Sequence, residues 1–175
     1  MTSPDFKGYL QPPGRRVADR LQAAIELGAD PEILFVHRDA EGGKPANRWN
    51  EARKAVANVM PGLPHVAVVP VRMTEAWLLV DHGLIRRVAG RPKSSDKLGV
   101  PPARHLERQR DPKELLRAAL RTASGLSGPK LERFDRRFGE HRRIILQQLD
   151  IHGPVRQLPA WQALESSINA TLATL

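Results

Sequence analysis

The sequence predicts an α/β fold: a small, mainly parallel sheet flanked by helices, followed by an all-helical C-terminal half. Three observations predict it. Two short apolar runs, ILFVH at 33–37 and HVAVVPV at 65–71, have the composition of strands buried on both faces. A helical pattern lies between them, the arrangement a parallel crossover requires. Beyond residue 90, helical patterns follow one another. Residues 1–90 are therefore read as the α/β part and 91–175 as a basic helical part packed with it. A length of 175 residues suggests one domain, long enough to bury a core without staples.

The elements follow in order. Residues 1–14 hold Pro4, Pro12, Pro13 and two glycines and read as an extended arm. A helix is expected over 15–27, where Val17, Leu21, Ala24 and Ile25 recur at helical spacing. The strand 33–37 leads into a polar, glycine-bearing loop over 38–45. A helix over 46–60 puts Trp49, Ala52, Val56 and Val59 on one side, and Pro61-Gly62 ends it. The strand 65–71 carries a late proline, Pro70, where pairing stops or an edge begins. Residues 73–89 read as helix, broken near His82-Gly83. A polar loop over 91–110 holds Pro92, Pro101 and Pro102. Asp111, Pro112 and Glu114 form a helix-start signature, and that helix runs to about Ala123. Further helices are expected over 129–138, 140–149 and 159–172. Two strands alone make a marginal sheet. The sequence thus predicts completion by a strand within 1–14, by a homodimer, or by a partner chain.

Composition narrows the function classes. Hydrophobic residues make up 41% and charged residues 27%, values ordinary for a folded chain. The absence of cysteine excludes a disulfide scaffold, a thiolate metal site and a cysteine nucleophile. Residues 1–10 have no signal-like apolar core, and no run approaches membrane-spanning length, so the expectation is a cytoplasmic protein without a membrane partner. The net charge of +9 is localised. Residues 86–143 hold 17 Lys/Arg against 7 Asp/Glu, and the remainder is nearly neutral. Such a surface attracts polyanions, which makes nucleic acid the expected partner. The alternative is an arginine-rich solubilising surface.

Ligands of open α/β sheets bind beyond the carboxyl ends of the strands. The first strand ends in His37-Arg38-Asp39-Ala40-Glu41-Gly42-Gly43, and the second in Arg72-Met73-Thr74-Glu75. Asp39, Glu41 and Glu75 are thereby expected at one crevice. Carboxylates of this kind hold Mg²⁺ together with water and phosphate, and the metal can then activate water at a phosphoryl group. Each residue also has a plainer task. Asp39 and Glu41 suit a solvated turn, and His37 suits a hydrogen-bonded structural role. Glu75 suits a helix start, and Trp77 suits the core.

The loop from His37 to Gly42 after an apolar strand resembles the Asp-x-Asp-x-x-Gly loop of TOPRIM domains, shared by topoisomerases, primases and the overcoming-lysogenization-defect nucleases. The segment Thr74-Glu75-Ala76-Trp77-Leu78-Leu79-Val80-Asp81 resembles a Glu-x-Trp-Leu-Leu segment of TOPRIM-like proteins in bacterial defence and abortive-infection loci. The likeness continues through Asp111-Pro112-Lys113, Ala123-Ser124-Gly125-Leu126-Ser127-Gly128 and 158–165, so it covers most of the chain in short motifs. The family's first strand, ending in a Glu, has no counterpart before Arg15, and His37 stands at its first Asp. Imidazole suits Mn²⁺ or Zn²⁺ better than Mg²⁺.

The resemblance implies a metal-dependent phosphodiesterase or nuclease using Mg²⁺ or Mn²⁺, with a place in anti-phage defence. Asp39 and Glu41 would hold the metal, with Glu75 as a further ligand or general base. His37 would assist as ligand or proton donor, while Arg38, Arg72 and Lys113 bind phosphate. Two rivals stand beside it: a nucleic-acid-binding module with a vestigial acidic site, and a regulatory subunit partnered with an ATPase. No P-loop, Gly-x-Gly-x-x-Gly, Gly-x-Ser-x-Gly or His-Glu-x-x-His motif occurs.

Overall fold

Strands β1 (Leu34–His37) and β2 (His65–Val68) pair in parallel, with Leu34 opposite His65 and His37 opposite Val68. They belong to a computed structural model that describes residues 13–40, 43–71 and 74–175. Helix α1 (Val17–Glu26) precedes β1, and α2 (Pro45–Val59) connects the two strands. Alternation along β1 decides its faces. Val36 enters a core with Val17 and Leu21 of α1 and Ala52, Ala55 and Val56 of α2, against which Leu34 and Ala67 also pack. Phe35 and His37 therefore point to the opposite face, and both are exposed. Val66, opposite Phe35, is fully buried.

Strand β2 is shorter than the apolar run 65–71 predicts. Pro70 has no N–H to donate, but its carbonyl still accepts from Ala40 N at 3.0 Å. The chain divides into two compact units. The first holds the described residues up to Arg38, Gly43–Val69 and Leu164–Leu175; the second holds Asp39, Ala40 and the described part of Pro70–Ala163. The unit boundary at Pro70 follows from the helices directly after β2, which pack on the later helices.

The second unit is helical. Helix α3 (Glu75–Leu78) and helix α4 (His82–Val88) are separate. Asp81 makes the break expected near His82-Gly83, its carboxylate accepting from Leu84 N at 2.8 Å to cap α4. The short helix α5 (Ala103–Leu106) follows, then α6 (Pro112–Ser124), α7 (Gly128–Arg136) and α8 (Phe138–Gln147). A 3-10 turn at Pro154–Gln157 leads to α9 (Pro159–Leu172), whose first turn lies in this unit and whose remainder lies in the other. Neither α5 nor the 3-10 turn is predicted, since each is one turn set among prolines.

Asp111 caps α6 through Glu114 N at 2.9 Å, as its sequence predicts. Gly125 ends α6 in the left-handed region, at φ 61°. The core gathers Leu78, Leu79, Leu84, Ile85, Leu116, Leu120 and Ile145, all fully buried. Helices α3 and α4 pack on α6 and α8. Helix α7 touches α6 and α8 yet buries none of its own residues. Among the described residues, no helix is long and apolar enough to cross a membrane.

Candidate functional site

Past the ends of β1 and β2 the two chain segments stay side by side, as the Ala40 N–H to Pro70 carbonyl bond shows. Ala40 is buried and Asp39 half-buried, with the Asp39 Oδ1 shielded from solvent. The expectations for Glu41 and Arg72 lie outside the described residues. His37 is exposed at the end of β1. Arg38 reaches back to α2, where Glu51 lies 3.3 Å away and is shared with Arg48 at 2.9 Å.

Glu75 opens α3, and its side chain is 4% exposed. Its Oε1 stands 2.7 Å from Nε of Arg142 on α8. The Nε–H does not point along that line, so the contact is an ion pair without a directed hydrogen bond. A buried carboxylate needs such a counter-charge. Glu75 therefore ties α3 to α8, a task that no spacing in the sequence announces. Among the described residues, no three His, Asp or Glu side chains gather closely enough to hold a metal ion. Lys113 is exposed on the first turn of α6.

A second cluster joins α6, α7 and α8. Asp135 of α7 accepts from Arg121 at 2.9 and 2.8 Å and from Arg117 at 3.1 Å. Arg121, followed by burial-opposed contributions from Arg117, holds the Asp135 carboxyl below the usual carboxylate range. The Arg117 guanidinium lies 4.6 Å from the centre of the Phe138 ring. The Phe134 ring stacks on His141, centroids 4.2 Å apart. Burial, reinforced by Arg137, pushes the His141 imidazole below its ordinary value. Beside this cluster, an open cleft of about 500 Å³ is lined by Arg121, Leu131, Glu132, Asp135 and Arg136. Its two acids and two bases balance, so it does not select an anion.

Near α9, Trp77 and Trp161 meet edge to face, centroids 5.2 Å apart. Glu107 caps the start of α9 by accepting from Ala160 N at 3.0 Å. Burial raises the Glu107 carboxyl, with the Ala160 N–H and then the Trp77 indole opposing the shift. A smaller cleft, about 310 Å³, is lined by Val80, Val100, Pro101 and Leu106 together with the polar groups of His82 and Gln157. Burial, then Arg86, lowers the His82 value.

The remaining feature is charge. Several arginines of the helical unit are paired with its own acids: Arg142 with Glu75, Arg117 and Arg121 with Asp135, Arg91 with Asp96. Lys93, Lys97, Arg108, Lys113, Lys130, Arg133, Arg136 and Arg143 are instead exposed. No protein-family model matches the chain, and neither does any curated protein or solved structure.

Proposed function

We propose that this chain is a nucleic-acid-binding module whose helical unit supplies the contact surface. The observation that carries the reading is the division of labour among its charges. Acids of the helical unit, including Glu75 and Asp135, are already neutralised by arginines of the same unit, Arg142 and Arg121. The exposed cations are left facing solvent, and they outnumber the acids left to offset them. Such a surface gains affinity for a polyanion by releasing its counterions. The test is titration of labelled DNA and RNA at rising salt. Binding should weaken steeply, with a log–log slope of about −0.7 to −0.9 per phosphate neutralised. Salt-independent binding, or none at low salt, would remove nucleic acid from the list of partners.

A second reading is a TOPRIM-like, metal-dependent phosphodiesterase. It is favoured by the position of Asp39 directly after β1, with its Oδ1 shielded beside the segment that leads from β2. In this reading Asp39 and Glu41 would hold Mg²⁺ or Mn²⁺. Cleavage of a nucleic-acid substrate in either ion, lost in Asp39→Asn, distinguishes it from binding alone.

A further inference from the structure

We infer that the outward face of α7 is the element that grips nucleic acid, and that it takes the phosphate backbone of a duplex. The inference rests on the nucleic-acid reading above. Lys130, Arg133 and Arg136 of α7, with Arg137 at its C-terminal cap, are all exposed. At about 3.6 residues per turn these four positions share one arc of the helix. The other side holds Leu131 and Asp135, with Phe134 at the border next to Lys130, each half-buried.

That inner side is what secures the helix. Asp135 is clamped by Arg117 and Arg121, and Phe134 is stacked on His141. The helix contributes no buried residue to the core. It is therefore a surface element, anchored on one side by polar and ring contacts and presenting cations on the other. Among the described residues, Lys130, Arg133 and Arg136 make no ion pair, whereas Arg137 meets Glu140 at 2.8 Å. Glu132 is the one acid on the exposed part of α7.

The geometry fits a phosphate backbone. From Lys130 to Arg137 the helix rises about 10 Å, a length over which duplex DNA presents about six phosphates. Base recognition in single strands uses exposed aromatic platforms. The helical unit offers none among the described residues. Trp77 and Phe138 are buried, and Trp161 and Phe134 are half-buried and already engaged with other rings. The arc also lacks the Asn and Gln side chains that read adenine. The proposed contact is with phosphates, where such cations give affinity independent of sequence; tighter binding of a guanine-rich duplex than of a guanine-poor one would instead show base readout by these arginines.

The test compares the whole chain with K130Q/R133Q/R136Q and with a control, R20Q/R53Q/K54Q, that removes the same number of exposed charges from the other compact unit. Two duplexes of unrelated sequence and a single strand of equal length serve as probes. The α7 variant should flatten the salt slope on duplex by about 2.7, three phosphates at about 0.9 each. The control should change it by less than one. The two duplexes should bind alike and the single strand more weakly. Equal losses from both variants, or tighter binding of the single strand, would overturn the assignment while leaving the nucleic-acid reading intact. No binding by the unaltered chain at low salt would remove that reading itself. Melting curves check folding, and the single substitution R133E repeats the comparison if the triple variant is unstable.

Discussion

At the scale of the residue, Glu75 shows how one side chain can be assigned to opposite tasks. A metal ligand should bear replacement by an apolar residue with little loss of stability, because removing it relieves repulsion. A buried partner of Arg142 should not. Glu75→Leu leaves a guanidinium beside apolar surface, and a loss of about 1–3 kcal/mol is expected, less than for a fully buried pair because Arg142 is 38% exposed. Adding Arg142→Met should recover much of that loss, and a double-mutant cycle by urea unfolding measures the coupling. Independent, additive losses would show that the pair does not act as one unit. His141 carries a second residue-scale expectation. Its imidazole value is lowered in the folded chain, so the unfolded chain binds more protons as pH falls below about 6.5. Stability should therefore decline from pH 7 toward pH 5, and His82 acts with the same sign. Glu107, whose value is raised, works the other way across the window just above its ordinary value. Replacing His141 with Phe should flatten the decline, read as melting temperature against pH. None of these partnerships was legible beforehand. The sequence marked Glu75 as chemically interesting by its place after a strand, but the identity of Arg142 depends on how α8 packs, and periodicity carries no information about that.

At the scale of the element, the sequence is far more explicit, because start and stop signals act locally. Asp111 caps α6 as its spacing to Glu114 announces. Asp111→Ala should cost about 0.5–2 kcal/mol by leaving an amide at the helix start without its acceptor. At the other end, Gly125 has φ 61°, and a Cβ there would meet the guanidinium of Arg91. Gly125→Ala should therefore destabilise by about 1–2 kcal/mol through the left-handed backbone, with any displacement of Arg91 adding to it. Denaturant midpoints of the two variants check both expectations. Elements with no such punctuation escaped. Helix α5 is four residues long with a proline at its N-cap, and a proline-rich stretch reads as loop. The second strand was overrun for a related reason. Its apolar composition continues to Val71, but Pro70 has no N–H to donate, and among the described residues the strand ends at Val68 with a single carbonyl contact, from Ala40 N to Pro70, beyond it.

At the scale of the whole molecule, the two-stranded parallel sheet poses the main physical question. The order helix, strand, helix, strand was legible because hydrophobic periodicity switches between its two patterns. How the sheet is completed was not, since edges are settled by whatever chain meets them. In β1, Leu34 N and Arg38 N donate toward β2, so the backbone groups of Phe35 face the other edge. Among the described residues no third strand pairs there. The Phe35 side chain is also 36% exposed, and large apolar side chains beside an open edge recruit another strand. The edge of β2 differs, because the Thr171 hydroxyl of α9, which meets the Ser167 carbonyl at 2.9 Å, also lies 3.4 Å from the His65 carbonyl and covers it. Association through β1 is thus the expected route, and a two-fold pair is the commonest assembly a single chain makes. Light scattering at micromolar concentration should give about twice the 19.5 kDa of one chain. Phe35→Lys should shift the mass toward one chain without lowering the melting temperature of the helical unit. A strand supplied by residues 1–12 predicts a different pair of results: a single-chain mass, and a loss of stability when those residues are deleted. If the unaltered chain is monomeric and the deletion is silent, neither a second copy nor the arm completes the sheet, and β1 is left as an open edge for a different chain.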